Sequence, residues 1–250
     1  MTTVYLGLPA YNEAAAIKPL FEKIRLLQLT LAQPLCVLFY DDGSRDHTRQ
    51  EVQAWCDLLS LVYLDGVENR GLGAGMNALL QEFYCRGASD DLLVVMDCDN
   101  THDPQQITQM LTLLQQDAYL EVVIASRYRA GAISRGVPRH RAALSLACAL
   151  LYKILHPIAN ARDYSCGYRA YRHGAIARVH ARYPLPMLKE PGFACMVELL
   201  LKLRQVRARV REIPLRLAYD QKVTPSKMDL SANSLRLLKK LLAWRWMGLE

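Results

Sequence analysis

The sequence predicts an α/β fold with a mainly parallel central sheet flanked by helices. Three observations carry this. Short apolar runs at residues 4–8, 35–40, 61–64, 92–96 and 122–125 alternate with helix-length stretches, and strands separated by helices pair in parallel through right-handed crossovers. Polar loops at 9–13, 41–44, 97–103 and 126–129 each follow a strand, so all can gather at the carboxyl edge of the sheet, where ligands of such sheets sit. The chain has 250 residues, 52% of them hydrophobic, which suits one domain with a full core.

The elements follow in order. Residues 4–8 form a first strand, and Pro9-Ala10-Tyr11-Asn12-Glu13 leads into a helix over 14–29. The second strand, 35–40, ends in Asp41-Asp42-Gly43-Ser44. Ser44 or Asp46 can cap the next helix, which the pattern extends to residue 59. A strand at 61–64 precedes the Gly-rich turn 69–75, which enters a helix reaching residue 85. A fourth strand (92–96), a helix (104–116) and a fifth strand (122–125) complete the regular part. In the second half, 142–151 is almost wholly apolar and extends towards 158, too short and interrupted to span a bilayer. Residues 192–203 read as a helix. Residues 229–246 read as a basic amphipathic helix, with Leu235, Leu238, Leu242 and Trp246 at helical spacing. Membrane contact and packing on protein remain open for 142–158 and 229–246.

Composition narrows the function. Seven cysteines, an odd number with no C-x-x-C pair, indicate reduced thiols in a cytoplasmic protein rather than structural zinc. The formal net charge is +7, but its distribution is uneven. Acidic residues gather in the first half, at Asp41, Asp42, Asp46, Asp90, Asp91, Asp97, Asp99 and Asp103; arginines crowd 127–141 and 204–216. One half suits a metal and the other suits anions. Aromatics are sparse near the basic clusters and no nucleic-acid-binding motif is present, so no nucleic-acid partner is expected.

Asp97-Cys98-Asp99 is the most informative motif. It ends an apolar strand, and alternate residues of an extended chain point the same way, so its carboxylates can converge while Cys98 turns into the core. A divalent cation carrying a diphosphate neutralises such a pair, because hard cations prefer oxygen ligands. The other motifs are double-edged. Asp41-Asp42-Gly43-Ser44 suits a base or ribose contact and equally an ordinary strand-to-helix turn. Gly71-x-Gly73-x-Gly75 suits a phosphate loop or a turn needing positive φ. It lacks the third glycine of G-x-G-x-x-G and the Lys-Ser/Thr of a P-loop, which disfavours a dehydrogenase or ATPase. Arg127 could bind a phosphate through its planar fork or be a solvated loop residue. Lys222, Ser226 and Lys227 lie where a segment could close over a diphosphate, or form a plain surface loop. His102 is not expected to be a ligand.

Taken in order, these segments resemble the inverting family-two glycosyltransferases of the GT-A fold, most nearly the dolichyl- and polyprenyl-phosphate mannosyl- or glucosyltransferases. The resemblance covers residues 3–228, through Leu8-Pro9-Ala10-Tyr11-Asn12-Glu13, Asp41 to Ser44, Asn69 to Gly73, Met96 to Asn100, Ala125 to Tyr128, Asp163 to Arg169, Phe193 to Leu200, Glu212-Ile213-Pro214 and Ser226-Lys227-Met228. It implies a catalytic domain over 1–228 followed by the helix of 229–250. Pro9, Tyr11, Glu13 and Asp42 would hold the donor nucleoside, and Asp97 and Asp99 would hold Mg²⁺ or Mn²⁺ on its diphosphate. Arg127 and Arg141 would meet the acceptor phosphate, and Lys227 would close near the diphosphate. The implied partners are a nucleoside diphosphate sugar and a polyprenyl phosphate; the basic tail and the 142–158 stretch would suit a membrane surface at the cytoplasmic face, or equally packing on the domain or on a second copy of the chain. Thr101 stands where many relatives have a metal-completing Gln, leaving Asp103 or water to substitute. Residues 219–225 lack the usual Arg and Gly. Competing expectations are a soluble acceptor, a nucleotide-sugar-binding protein without turnover, and a nucleotidyltransferase. Leu8 to Glu13 argues against the last.

Overall fold

The apolar runs pair with one another through the crossovers that the helices between them permit. A computed structural model describes residues 2–222, 240, 241 and 243–245; the side chains of residues 139–141 are outside that description. The strands are β1 (Val4–Ala10), β2 (Leu35–Asp41), β3 (Leu61–Asp65), β4 (Leu92–Val95), β5 (Val122–Ser126), β6 (Ile133–Arg135), β7 (Arg169–Arg172), β8 (Val210–Pro214) and β9 (Arg216–Ala218). The helices are α1 (Ala14–Thr30), α2 (Thr48–Gln53), α3 (Leu72–Arg86), α4 (Gln106–Gln116), α5 (Arg139–Leu155), α6 (His173–Arg182) and α7 (Ala194–Gln205), with a 3₁₀ turn at Tyr219–Gln221.

Seven strands form one sheet in the order β3-β2-β1-β4-β7-β5-β8, and β6 pairs β9 in parallel beside it. All four β4 residues are buried, as expected of a strand covered on both faces. The one reversal is β7, antiparallel to β4 and β5. Its first residue, Arg169, pairs with Val95 and Ile124, so the segment before β7 arrives at the same edge as the ends of β4 and β5.

Three sequence expectations need correction. The second helix ends at Gln53 rather than 59; tighter turns follow, such as Trp55 N–H to the Val52 carbonyl. The apolar helix α5 starts at Arg139 and ends at Leu155, because Pro157 cannot extend the ladder. The strands β6 to β9 and helix α6 were not anticipated. Of the 229–246 helix, Lys240, Leu241, Ala243, Trp244 and Arg245 are described and helical; the 228/229 boundary lies outside the described residues. These tail residues pack on the domain: Leu241 is buried, its carbonyl meets His156 Nε2 at 3.0 Å, and Lys240 pairs with Glu190 at 2.8 Å.

Candidate active site at the carboxyl edge of the sheet

The loops after β1 and β2 lock together. Ser44 Oγ accepts the Asn12 N–H (2.8 Å), Asn12 Oδ1 accepts the Arg45 N–H (2.8 Å), and Thr48 Oγ1 accepts the Glu13 N–H (2.9 Å). Asp46 accepts the Thr48 N–H at 3.0 Å from just before the helix, but His47 holds the N-cap position and no side chain caps α2, so neither Ser44 nor Asp46 takes the capping place the sequence suggests. Pro9 lies in β1 opposite Tyr40, and Tyr11 and Glu13 follow at the strand's end. Asp42 is buried and uses both carboxylate oxygens on the loop after β3, accepting the Arg70 (3.0 Å) and Gly71 (2.8 Å) amides. Burial holds its carboxyl above the ordinary aspartate value, against the pull of those two amides. The glycines of that loop have packing reasons. Gly71 has φ +84°, and a Cβ on Gly73 would meet the Glu190 carbonyl oxygen at 1.9 Å.

Asp97 and Asp99 sit just past β4, with Cys98 buried between them. Asp99 Oδ1 accepts the Thr101 hydroxyl (2.7 Å) and amide (3.2 Å), and Oδ2 pairs with the Lys222 ammonium. Burial works to raise the Asp99 carboxyl, but Lys222 and Thr101 together leave it below the ordinary value. Asp97 moves the other way: burial raises it, and the neighbouring Asp99 charge adds to that. Among the described residues the Asp97 carboxylate accepts no hydrogen bond. Thr101, in the place of the expected Gln, therefore holds a carboxylate. Asp103 uses its own carboxylate on the Gln105 amide (3.0 Å) at the start of α4.

His102 was undervalued. It is buried, accepts the Asp97 N–H on Nδ1 (3.2 Å) and stacks on Tyr168 with centroids 5.0 Å apart. The only sequence signal was its nearness to the aspartates. Gly167 completes the wall: a Cβ there would stand 3.2 Å from Asp97 Oδ1.

Arg127, at the end of β5, is fixed rather than solvated. Its Nε and Nη2 make a bidentate pair with Asp163 (2.8 and 2.7 Å), Nη2 also reaches Ser165 Oγ (2.8 Å), and its amide donates to Asp163 (3.0 Å). Asp163 is in turn placed by Glu212 of β8, whose Oε1 accepts the Arg162 and Asp163 amides (2.6 and 2.7 Å). The Asp163-to-Arg169 and Glu212-Ile213-Pro214 motifs thus meet as a support for Arg127. The positive charge of Arg127 is also felt at Asp97. Arg141 lies in the first turn of α5, with its side chain outside the description, and Lys227 lies outside the described residues.

No cluster of three or more metal-ligating side chains occurs among the described residues. A pair of carboxylates is nevertheless a suitable donor set for Mg²⁺, which keeps several waters and is completed by substrate phosphates. The undonated Asp97 carboxylate fits that use.

The α/β sheet thus carries an acidic pair and a buttressed arginine at its carboxyl edge. The chain belongs to the family described as glycosyl transferase family 2, whose model matches residues 5–179; it is a glycosyltransferase of the GT-A fold. Among curated proteins it is similar to an undecaprenyl-phosphate mannosyltransferase of Micrococcus luteus, 28% identical over 94% of this chain and 96% of that one. It is also similar to a polyprenol monophosphomannose synthase of Mycolicibacterium smegmatis, 27% identical over 95% of this chain and 84% of that one. Among solved structures, glucosyl-3-phosphoglycerate synthase of Mycobacterium tuberculosis, with Mn²⁺ and UDP-glucose bound, superposes with a TM-score of 0.66. It is 22% identical, covering 98% of this chain and 78% of that chain.

Proposed function

We propose that this glycosyltransferase moves a sugar from a nucleoside diphosphate sugar to a polyprenyl phosphate, with inversion at the anomeric carbon and with Mg²⁺ or Mn²⁺ on Asp97 and Asp99. The observation that carries the reading is the Asp97 carboxylate, which accepts no hydrogen bond among the described residues and feels the charge of the locked Arg127. The names of the two curated relatives supply the acceptor class.

The residues divide the work. Asp42 fixes the loop at 70–71, and the joined loops of Asn12 and Ser44 shape the floor beneath the nucleoside, beside Pro9, Tyr11 and Glu13. A bound divalent ion would act as a Lewis acid that stabilises the departing diphosphate. Arg127, with Arg141 on α5, would draw in the acceptor phosphate by its planar fork. The acceptor is already an anion, so a dedicated general base is unnecessary. One phosphate oxygen forms the new bond to the anomeric carbon as the bond to the donor diphosphate breaks on the opposite face. The electron pair leaves with the nucleoside diphosphate.

The acceptor's lipid tail places the site at a membrane. No helix among the described residues is long and apolar enough to cross one, so contact would be peripheral, at the cytoplasmic face. α5 supports this. Leu146, Leu150 and Ile154 are exposed on one of its faces, and Ile154 is 76% exposed. At its carboxyl end a cleft of about 270 Å³ is lined by His156, Arg204, Gln205, Trp244 and Arg245. An apolar face with basic and aromatic neighbours suits an anionic bilayer.

The test is direct. Purified protein is incubated with polyprenyl phosphate, Mn²⁺ and a panel of labelled nucleotide sugars, beside Asp99→Ala. Transfer from one donor, lost in the variant, is expected. No transfer from any donor, with wild type and variant alike, sinks the proposal.

A further inference from the structure

The chain returns across the carboxylate loop after β8, and it is fastened there. Ala218 N–H donates to the Thr101 carbonyl (3.0 Å), and Leu217 bridges His102. From α1, Lys23 Nζ joins Asn100 Oδ1 (2.8 Å) to Gln221 Oε1 (2.9 Å). These ties deliver the next residue, Lys222, to Asp99 Oδ2. Its charge also acts on Asp97 and is acted on by Glu13. Because Thr101 holds Oδ1, both oxygens of Asp99 are occupied by protein donors. A cation at Oδ2 would have to share that oxygen with the ammonium, and the two like charges repel at such short range.

We propose that Lys222 is a tethered competitor of the divalent cation for Asp99, neutralising the acidic pair until a metal-bound donor displaces it. The inference rests on the reading of Asp97 and Asp99 as the metal pair. The chemistry suits a lysine: an ammonium is a compact, strongly hydrated charge on a flexible stem, with no fork to hold a carboxylate bidentately. The side chains of Lys222 and Asp99 keep 18% and 12% of their exposure, so water can accompany the exchange. Displacement by bare metal strands the ammonium near a second cation. Displacement by metal with a nucleoside diphosphate leaves it beside new phosphate oxygens. Metal and nucleotide therefore strengthen each other's binding, and by linkage the gain is reciprocal.

Mn²⁺ titration by calorimetry, at low salt, tests this without turnover. Wild type, Lys222→Met, Lys222→Arg and Asp97→Asn are compared, alone and with UDP or GDP, after circular dichroism shows each folded. Losing a charge-assisted bond from the apo state makes Mn²⁺ bind Lys222→Met about tenfold tighter than wild type. Lys222→Arg stays as weak as wild type, and the strengthening by nucleotide shrinks in Lys222→Met. Equal Mn²⁺ affinity in wild type and Lys222→Met, with loss in Asp97→Asn, overturns the competitor role and leaves the metal pair standing. No Mn²⁺ binding by any protein, with or without nucleotide, overturns both.

Discussion

Replacing Asp163 by Asn should destabilise the protein substantially and in a pH-dependent way. Asp163 is fully buried, and it accepts Nε, Nη2 and the amide of Arg127 as well as the Cys166 amide (3.0 Å). The amide side chain retains an acceptor oxygen but loses the charge and one of the two guanidinium bonds. Breaking a buried pair from one side costs about 3–5 kcal/mol, since the partner's charge is left uncompensated. Arg127 keeps 28% of its side-chain exposure, and water there screens the stranded charge, which places the cost at the lower end, about 3 kcal/mol. In a chain of this size that lowers the unfolding midpoint by roughly 6–12 °C. The pH dependence has a definite sign. Burial acts to raise the Asp163 carboxyl, but Arg127 outweighs it and holds the folded-state value below the ordinary one. A depressed carboxylate contributes stability above its unfolded pKa of about 3.9 and loses it as pH falls through the folded value. Urea unfolding of both proteins across mildly to strongly acidic buffers should show a gap that is full near neutrality and narrows below about pH 4. A gap under about 0.5 kcal/mol at neutrality, the range of ordinary surface substitutions, would falsify the account of Arg127 as a charge locked by Asp163.

Three further outcomes are expected. Gly73→Ala should lose about 3 kcal/mol or more, measured by urea unfolding, because the new methyl meets backbone at Glu190 rather than a side chain that can turn away; full stability would mean that the 189–191 segment moves freely. Leu150→Glu with Ile154→Glu should leave stability within about 0.5 kcal/mol per site while reducing co-sedimentation with anionic vesicles, and undiminished vesicle binding would remove α5 from the membrane contact. Under native conditions a thiol reagent should modify the exposed Cys56 and Cys85 first. Cys166, which burial pushes up to about 12, should react only after denaturation, and its early labelling would show that the 163–168 segment opens.

How far the site was legible depends on which part of it is local in sequence. β1, β2, β4 and β5 announce themselves as apolar runs, and their following loops carry Tyr11, Asp42, Asp97 and Arg127 within a few residues. Parallel pairing alone then brings these loops to one edge. The supports were not legible, because they act over long separations. Glu212 reaches the Asp163 amide across 49 positions, and Lys222 reaches Asp99 across 123. His102 and Thr101 were visible as letters, but their jobs as acceptor for Asp97 and donor to Asp99 are set by a bend that no periodicity encodes.

The reversal at β7 explains why the supports converge. Its sequence, Arg-Ala-Tyr-Arg, places two arginines around a small and an aromatic residue and gives no apolar run to mark a central strand. Yet it lies between β4 and β5, and Arg169 at its start is wholly buried, with Nη1 on the Met196 carbonyl (2.8 Å) and Nη2 on the Tyr164 carbonyl (2.6 Å). Because β7 runs antiparallel, the residues before it, rather than after it, lie at the carboxyl edge. That single inversion puts Asp163 against Arg127 and Gly167 against Asp97. A parallel strand in the same place would deliver its trailing segment there and send 163–168 to the far side of the sheet. The acidic pair and the locked arginine would then be separate features. Inserted as it is, β7 brings the supports of both to one edge of the sheet. Substituting Gly167 by Ala should accordingly disturb the acidic pair, because the methyl would press Asp97 Oδ1. Mn²⁺ affinity, measured by calorimetry, should therefore fall in Gly167→Ala. Unchanged Mn²⁺ affinity in Gly167→Ala would show that Asp97 shifts aside without loss of the metal pair.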